Sequence, residues 1–293
     1  MEYKIISDSA SDIFELDGVN YQSVPLKIIT GENEYVDDMS LDVDKMIDDL
    51  RKYKGKSKSS CPNMDEWKTA FEDSENVFCV TITSGLSGSC NAATLALNDY
   101  LSENENKRGM VIDTLSAGPE IALIIEKLKE LINSKLKFDE ICEKINEYKS
   151  KTHLVFALES LRNLANNGRV NVAVAKIAGV LGIRVVGKAN NEGTLEVVSK
   201  VRGREKTLGE IFKNMLSNGY EGGKVRIHHC QNFDGAKDLA KMIKDKFKNA
   251  MVTIDKTGRF AVFMLRQTVY LSDLKAQLKH RKKFGIARTF LFN

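Results

Sequence analysis

The sequence has no run of apolar residues long enough to cross a membrane, which would need about 18 to 20 residues. Its first residues lead directly into a strand-like segment, without the basic and then apolar stretch typical of a secretory signal. We therefore expect a cytoplasmic protein with no stable membrane insertion.

Closely spaced cysteine pairs are also absent. The five cysteines are odd in number, and none forms a C-x-x-C pattern. This argues against a disulfide framework and against a structural zinc site. We expect most of them to be buried small hydrophobic residues. They are Cys61, Cys79, Cys90, Cys142 and Cys230.

A basic face for nucleic acid is not visible either. The net charge is +4, but residues 256–293 alone carry nine Lys or Arg against one Asp, which leaves residues 1–255 at −4. Proteins that bind nucleic acid usually spread basic residues over a face of the folded domain, together with aromatic side chains. The acidic body therefore argues against a nucleic-acid partner.

Three strand-like runs in the first 120 residues each end in a turn of small polar residues, at positions 4–9, 80–89 and 111–119. Open α/β sheets bind ligands beyond the carboxyl ends of their strands, and a helix that follows each turn adds free N–H groups. The pattern predicts an oxyanion site at one crevice. The hydroxyls expected there are those of Ser7, Ser84, Ser87 and Ser116.

Strands and helices alternate through residue 150, which favours a parallel, doubly wound domain. A hairpin at 184–199 then indicates antiparallel pairing. We predict an α/β fold with an N-terminal parallel domain at 1–150 and a C-terminal mixed-sheet α/β domain at 151–293. The predicted strands lie near 3–7, 22–29, 77–83, 109–113, 153–157, 184–188, 194–199, 224–229 and 251–254. The predicted helices lie near 42–53, 64–72, 87–103, 116–133, 138–150, 158–166, 171–181, 205–217 and 234–248.

Two residue pairs invite a metal interpretation that we do not favour. Asp8 and Asp12 lie four residues apart, but no third carboxylate or histidine is near in sequence, and a helix start explains them better. His228 and His229 are neighbours on a predicted strand, so they point to opposite faces. We expect structural roles for these histidines and no metal site.

Five short motifs occur in the order seen in DegV-family fatty-acid-binding proteins, and the chain resembles that family over residues 1–258. The resemblance implies a fatty acid tail buried between a sheet and helices, with no other cofactor. It also implies a carrier that is not an enzyme and that presents the acid to a separate fatty acid kinase, which makes acyl phosphate. The motifs are SDSASD at 7–12, SSCP at 59–62, SGLSGS at 84–89, IDT at 112–114, and LRNL with NGR at 161–169.

The resemblance places the carboxylate contacts on Ser59, where the family usually has Thr, and on Ser87. Ser60, Gly88 and Ser116 are expected beside them. Hydroxyl and backbone N–H donors can stabilise a carboxylate without a buried cation. The alternatives are a helix N-cap for Ser87 and a simple turn role for Ser59.

The resemblance also implies that Arg169 and Arg202 dock the kinase, since a planar guanidinium suits a phosphate-rich partner. Arg169 follows Gly168 in a turn that looks exposed, and Arg202 and Arg204 flank Gly203. A solvated basic loop is the competing interpretation.

A serine hydrolase is the alternative enzyme hypothesis. Residues 85–89 imitate a nucleophile elbow around Ser87, but Ser89 stands where that motif has glycine. A partner-binding scaffold without any ligand is a third possibility.

The resemblance ends after Gly258. Family members usually continue with a sequence such as CSFYAE, whereas this chain reads AVFMLR at 261–266. The codons that encode CSFYAE can encode AVFMLR when they are read one nucleotide later. We therefore expect 259–293 to be atypical and frameshifted, with 271–293 an accidental basic extension, and a genuine divergent tail is the alternative.

Overall fold

The computed structural model describes residues 2–170 and 183–257, together with the backbone of 269–274. Its strands are β1 Tyr3–Asp8, β2 Asn20–Val24, β3 Lys27–Ile29, β4 Glu34–Val36, β5 Lys58–Ser60, β6 Asn76–Thr81, β7 Arg108–Asp113, β8 Thr152–Leu158, β9 Ile183–Ala189, β10 Leu195–Arg202, β11 Lys224–His229, β12 Met251–Lys256 and β13 Val269–Leu274. Its helices are α1 Val43–Lys52, α2 Met64–Phe71, α3 Ser89–Ser102, α4 Pro119–Asn133, α5 Phe138–Lys149, α6 Arg162–Asn166, α7 Arg204–Ser217 and α8 Phe233–Lys246. The helix predicted at 171–181 lies outside the described residues.

The first sheet has four strands in the order β2-β1-β6-β7, and all three of its pairings are parallel. Helix α3 follows β6 and helix α4 follows β7, as the alternation of the sequence predicts. The parallel N-terminal architecture is therefore confirmed. The carboxyl ends of β1, β6 and β7 lie side by side.

The second sheet has six strands in the order β10-β9-β8-β13-β11-β12. The predicted hairpin is present as the antiparallel pair β9 and β10, and β11 pairs with β12 in parallel, so this sheet is mixed as predicted. Strand β13 lies between β8 and β11, antiparallel to both. Residues 271–274 therefore belong to the second sheet, and the origin of the tail as an accidental extension stays a prediction. The remaining tail, 275–293, lies outside the described residues.

A third, three-stranded antiparallel sheet in the order β4-β3-β5 was not predicted. The single strand expected at 22–29 is in fact two strands, β2 in the first sheet and β3 in this one. Pro25 lies between them. Because proline has no N–H to donate, it interrupts the pairing and lets the chain change sheets.

Helix α4 packs against strands of both large sheets. Residues Pro119 to Ile125 are all buried, so the first half of the helix is covered all round rather than on one stripe. Only the second half of the helix has the single apolar stripe of an amphipathic helix, at Leu128 and Leu131. The main apolar cluster likewise joins the first sheet to β8, through Ile5, Phe78, Ile124 and Phe156.

The division into domains at about residue 150 stays a prediction. Residues 3–113 supply the strands of the first and third sheets, and residues 152–274 supply those of the second. Among the described residues, no helix is both long and apolar enough to cross a membrane. All five cysteines are free thiols, but only Cys79 and Cys230 are fully buried.

Candidate functional site

The turns after β1, β6 and β7 meet at one edge of the first sheet, as the sequence predicts. The Thr83 N–H donates to the Ser116 carbonyl at 2.9 Å, which joins the last two turns. The four hydroxyls differ in their surroundings, however. Ser7 is buried and donates to the Asp8 carbonyl at 2.9 Å, whereas Ser84 is exposed.

Ser87 lies in the turn that leads into α3. Its Oγ accepts a hydrogen bond from the Ser89 N–H at 3.3 Å, at the first residue of the helix. Gly88 is the N-cap residue and has no side chain with which to cap the helix. The Ser87 hydroxyl therefore caps the helix start and lies where a bound anion would meet α3.

The segment that carries Ser59 reaches this turn from the third sheet. A Cβ on Gly88 would lie 3.4 Å from the Cys61 sulfur, so the two turns are in contact. The Ser59 Oγ is buried and has no hydrogen-bond partner among the described residues. The Ser60 hydroxyl donates instead to the Cys61 carbonyl at 3.1 Å. The structure thus brings the predicted Ser59 and Ser87 segments together.

Ser116 is buried, with 2% of its surface exposed. Its hydroxyl lies near the Glu120 carboxyl but makes no hydrogen bond of ordinary geometry within the described part of the chain. Glu120 is itself buried and accepts from the Thr152 hydroxyl at 2.5 Å. Burial raises the pKa of Glu120 to about 7.

Arg169 is half-buried against the Ser87 turn, although its sequence context suggests an exposed loop. Its Nε donates to the Leu86 carbonyl at 3.0 Å, and its Nη1 donates to the Asn167 carbonyl at 3.3 Å. Burial lowers its pKa, and the nearby Cys61 thiol acts in the opposite direction. Arg169 therefore lies beside the Ser59 and Ser87 segments.

The second predicted docking residue lies on a different element. Arg202 is exposed at the end of β10. Its neighbour Arg204 forms an ion pair with Asp238 at 2.5 Å.

Asp8 is a buried residue of the site whose position the sequence did not indicate. One of its oxygens accepts from the Ile82 N–H at 2.9 Å and from the Ser89 hydroxyl at 2.6 Å. Burial raises its pKa to about 6. The alternation of strand and turn could have indicated this burial, since Asp8 ends a fully buried strand segment.

The predicted helix start at Asp12 is wrong. Residues Ser9–Ser11 form one short 3₁₀ turn, and Asp12 ends it in a left-handed conformation with φ of 61°. Its Oδ2 lies 2.8 Å from His228 Nδ1 and accepts from the Thr257 hydroxyl at 2.8 Å. His228 thus has a structural role, and Asp12 joins the first sheet to the second.

The tip of the β9–β10 hairpin packs on the turn after β6. A Cβ on Gly85 would lie 2.9 Å from the Glu192 carbonyl oxygen, and one on Gly193 would lie 2.0 Å from Thr83 Oγ1. Only glycine fits at these two positions, because a Cβ would clash at each of them. Within residues 2–170 and 183–257, no group of three or more His, Cys, Asp or Glu side chains is arranged to hold a metal ion.

Comparison with known proteins gives a consistent result. The family model described as "Uncharacterised protein, DegV family" matches residues 2–264. The chain belongs to the DegV family. A DegV domain-containing protein from Streptococcus gordonii is 40% identical over 267 residues, which cover 90% of this chain and 95% of that protein.

Two solved DegV-family structures are similar over nearly the whole chain. A DegV family protein from Eubacterium eligens, loaded with heptadecanoic acid, is 42% identical with a TM-score of 0.91. The fatty acid kinase (Fak) B3 protein of Streptococcus pneumoniae, loaded with linoleic acid, is 37% identical with a TM-score of 0.92. Both matches cover 94% of this chain and all of the other chain.

Proposed function

We propose that this DegV protein is a carrier that binds one long-chain fatty acid and presents it to the catalytic subunit of a fatty acid kinase. The carboxylate is held by Ser59 and Ser87, with Ser60, Gly88 and Ser116 beside them. The kinase, and not this chain, transfers the phosphoryl group to the carboxylate. The fatty acids bound by the E. eligens and S. pneumoniae relatives support this function.

One observation carries the proposal. The buried Ser59 hydroxyl lacks a partner among the described residues and lies on a segment that touches the Ser87 turn. A buried donor without a partner costs about 1–3 kcal/mol, a cost that an acceptor on a ligand would remove. The Arg169 guanidinium packs on the same turn, so a kinase that docks on Arg169 would lie beside the carboxylate.

The main apolar cluster lies next to the polar turns and offers an apolar surface for the tail of the ligand. Cys61 and Ala117, which flank the polar turns, both pack against the main apolar cluster between the two large sheets. A tail of about fifteen methylenes at about 0.8 kcal/mol each would contribute about 12 kcal/mol, against association costs of about 4–15 kcal/mol. The tail therefore sets the affinity, and the polar turns set the orientation.

The serine hydrolase alternative gains no support. The Ser87 hydroxyl accepts from a backbone N–H at the start of α3, and the buried His228 is bonded to Asp12. A nucleophilic serine would need a histidine base within hydrogen-bond reach.

Organic extraction of the purified, denatured protein followed by mass spectrometry tests the function. We expect a C14–C18 acid at close to one equivalent, with an equal volume of column buffer as the control. Extracts that hold no acyl chain above background at several expression temperatures would contradict the carrier. Ester turnover that is lost in Ser87→Ala would favour the hydrolase instead.

A further inference from the structure

Asp8 lies directly beneath the Ser87 turn and is linked to it through one residue. The Ser89 hydroxyl donates to Asp8 Oδ2 at 2.6 Å, while the Ser89 N–H donates to Ser87 Oγ at 3.3 Å. The second donor to Oδ2 is the Ile82 N–H. Asp8 is fully buried, and its other oxygen, Oδ1, makes no hydrogen bond of ordinary geometry in the described part of the chain, although the Ala10 N–H lies near the carboxyl.

Four titratable groups face Asp8 from the surrounding elements. Tyr21 approaches from β2, Cys61 from the turn after β5, and Cys90 from α3. Burial raises the pKa of each of these three groups, so they stay uncharged near neutral pH. Asp113, at the end of β7, is a like charge that disfavours ionised Asp8.

The two hydrogen bonds to Asp8 both come from neutral donors and both go to the same oxygen. A proton can therefore bind Oδ1 without breaking either bond. A second carboxylate brought next to buried Asp8 disfavours two simultaneous negative charges, so one of the two groups takes a proton. The geometry favours Asp8, since Oδ1 is already free to receive it.

We propose that Asp8 is a positioning residue that takes up one proton when an acyl carboxylate binds at the Ser87 turn, so that acids bind more tightly at pH 6 than at pH 8. This inference rests on the proposed function, because it needs a carboxylate at that turn. Protonated Asp8 keeps Oδ2 as the acceptor that holds Ser89 in place.

The sign of the pH dependence follows from linkage. The pKa of Asp8, about 6 in the free protein, rises further when a negative ligand binds. Binding then takes up a proton, and affinity falls as the pH rises between the two values. Affinity for the acid should therefore fall by about tenfold or more between pH 6 and pH 8, and binding at pH 7 should take up a fraction of a proton.

Calorimetric titration of the delipidated full chain with tetradecanoic acid tests the proposal. Proton uptake is obtained at pH 7 from two buffers that differ in their heat of protonation, and the affinity is measured from pH 6 to 8. Tetradecan-1-ol is the matched ligand without a charge. We expect uptake and a tenfold or larger loss of affinity for the acid, and a flat profile for the alcohol.

Two variants separate Asp8 from other groups that titrate in this range. Asp8→Asn keeps an acceptor for Ser89 and Ile82 but cannot titrate, so its acid profile is expected to be flat. Glu120→Gln removes a second buried carboxyl with a raised pKa and is expected to keep the slope. Every other titratable group is intact in Asp8→Asn, so a slope that arises elsewhere would persist in that variant.

The outcomes are distinct. Acid binding without proton uptake in the unmutated protein overturns the inference and leaves the proposed function standing, and this measurement needs no variant to fold. A slope that persists in Asp8→Asn also overturns it. If no acid binds at any pH, the proposed function fails, and this inference fails with it.

Discussion

Asp8 and Asp12 lie four residues apart, and both side chains are buried, yet they belong to different regions of the molecule. Asp8 accepts hydrogen bonds from Ile82 and Ser89, which lie at the same edge of the first sheet. Asp12 instead contacts His228 in β11 of the second sheet and Thr257, the residue after β12. One carboxyl therefore belongs to the candidate ligand site, and the other belongs to the junction between the sheets. Neighbouring residues of one type can thus serve separate purposes.

The largest expected effect is at the junction. Asp12→Ala removes the acceptor of two buried groups, so we expect about 3–5 kcal/mol less stability in urea unfolding. Asp12→Asn should lose less, because asparagine tolerates the left-handed conformation and keeps one acceptor. The exposed Asp17→Ala is the control and should change stability by less than about 0.5 kcal/mol. A similar small loss in Asp12→Ala would show that the junction contributes little.

Asp8, unlike Asp12, is expected to destabilise the folded protein once it is ionised. Because its pKa is raised from 3.8 to about 6 in the folded protein, its contribution to stability is complete below about pH 4 and is lost as the pH rises through 6. The stability of Asp8→Asn relative to the unmutated protein should thus rise by about 2–3 kcal/mol between pH 4 and pH 7. Urea unfolding at four pH values measures this. A difference that does not vary with pH would mean that Asp8 is not desolvated.

The variant Ser87→Ala tests whether the fatty acid carboxylate binds at the turn next to Asp8. Ser87→Ala should weaken binding of a long-chain acid by about 1.5–3 kcal/mol and binding of the matching alcohol by less, because only the carboxylate needs the charge-assisted donor. Equilibrium binding of both ligands gives the two values. Equal losses would make Ser87 a helix cap only.

The smallest effects on stability concern the two arginines. Arg169→Ala should cost about 1 kcal/mol, since it removes the donor to the Leu86 carbonyl, whereas Arg202→Ala on the exposed end of β10 should cost less than about 0.5 kcal/mol. Both should leave the fatty acid content unchanged.

The docking role of the two arginines needs a separate measurement. Acyl-phosphate formation with a cognate kinase and ATP should fall in both variants, and added salt should imitate that fall in the unmutated protein. If the variant that carries both Arg169→Ala and Arg202→Ala binds the same lipid and forms acyl phosphate at the unmutated rate, the two arginines do not dock the kinase.

The C-terminal hypothesis has a direct check. The family match ends at residue 264, within the segment 258–268 that lies outside the described residues. Resequencing the gene distinguishes a frameshift from a genuine tail, because an unbroken frame through 259–293 removes the frameshift. The kinase comparison is best made with the restored C-terminus if a shift is found.

Most long elements were predictable because their hydrophobic periods are local. Strands β1, β6, β7 and β11 and helices α5, α7 and α8 lie within a few residues of the predicted positions. The short strands β4 and β5 were missed. With three residues each, they have no period to detect, and long-range pairing with β3 alone makes them strands.

The serine-rich turns after buried parallel strands and the resemblance to the DegV family are both visible in the amino-acid sequence. Which polar groups meet depends on long-range packing. It set Ser59 beside the Ser87 turn, buried Arg169 against that turn, and divided Asp8 from Asp12. The physical reason is that strand and helix periods act over a few residues, whereas the contacts made by Asp12, Arg169 and Asp8 join residues 216, 83 and 81 positions apart.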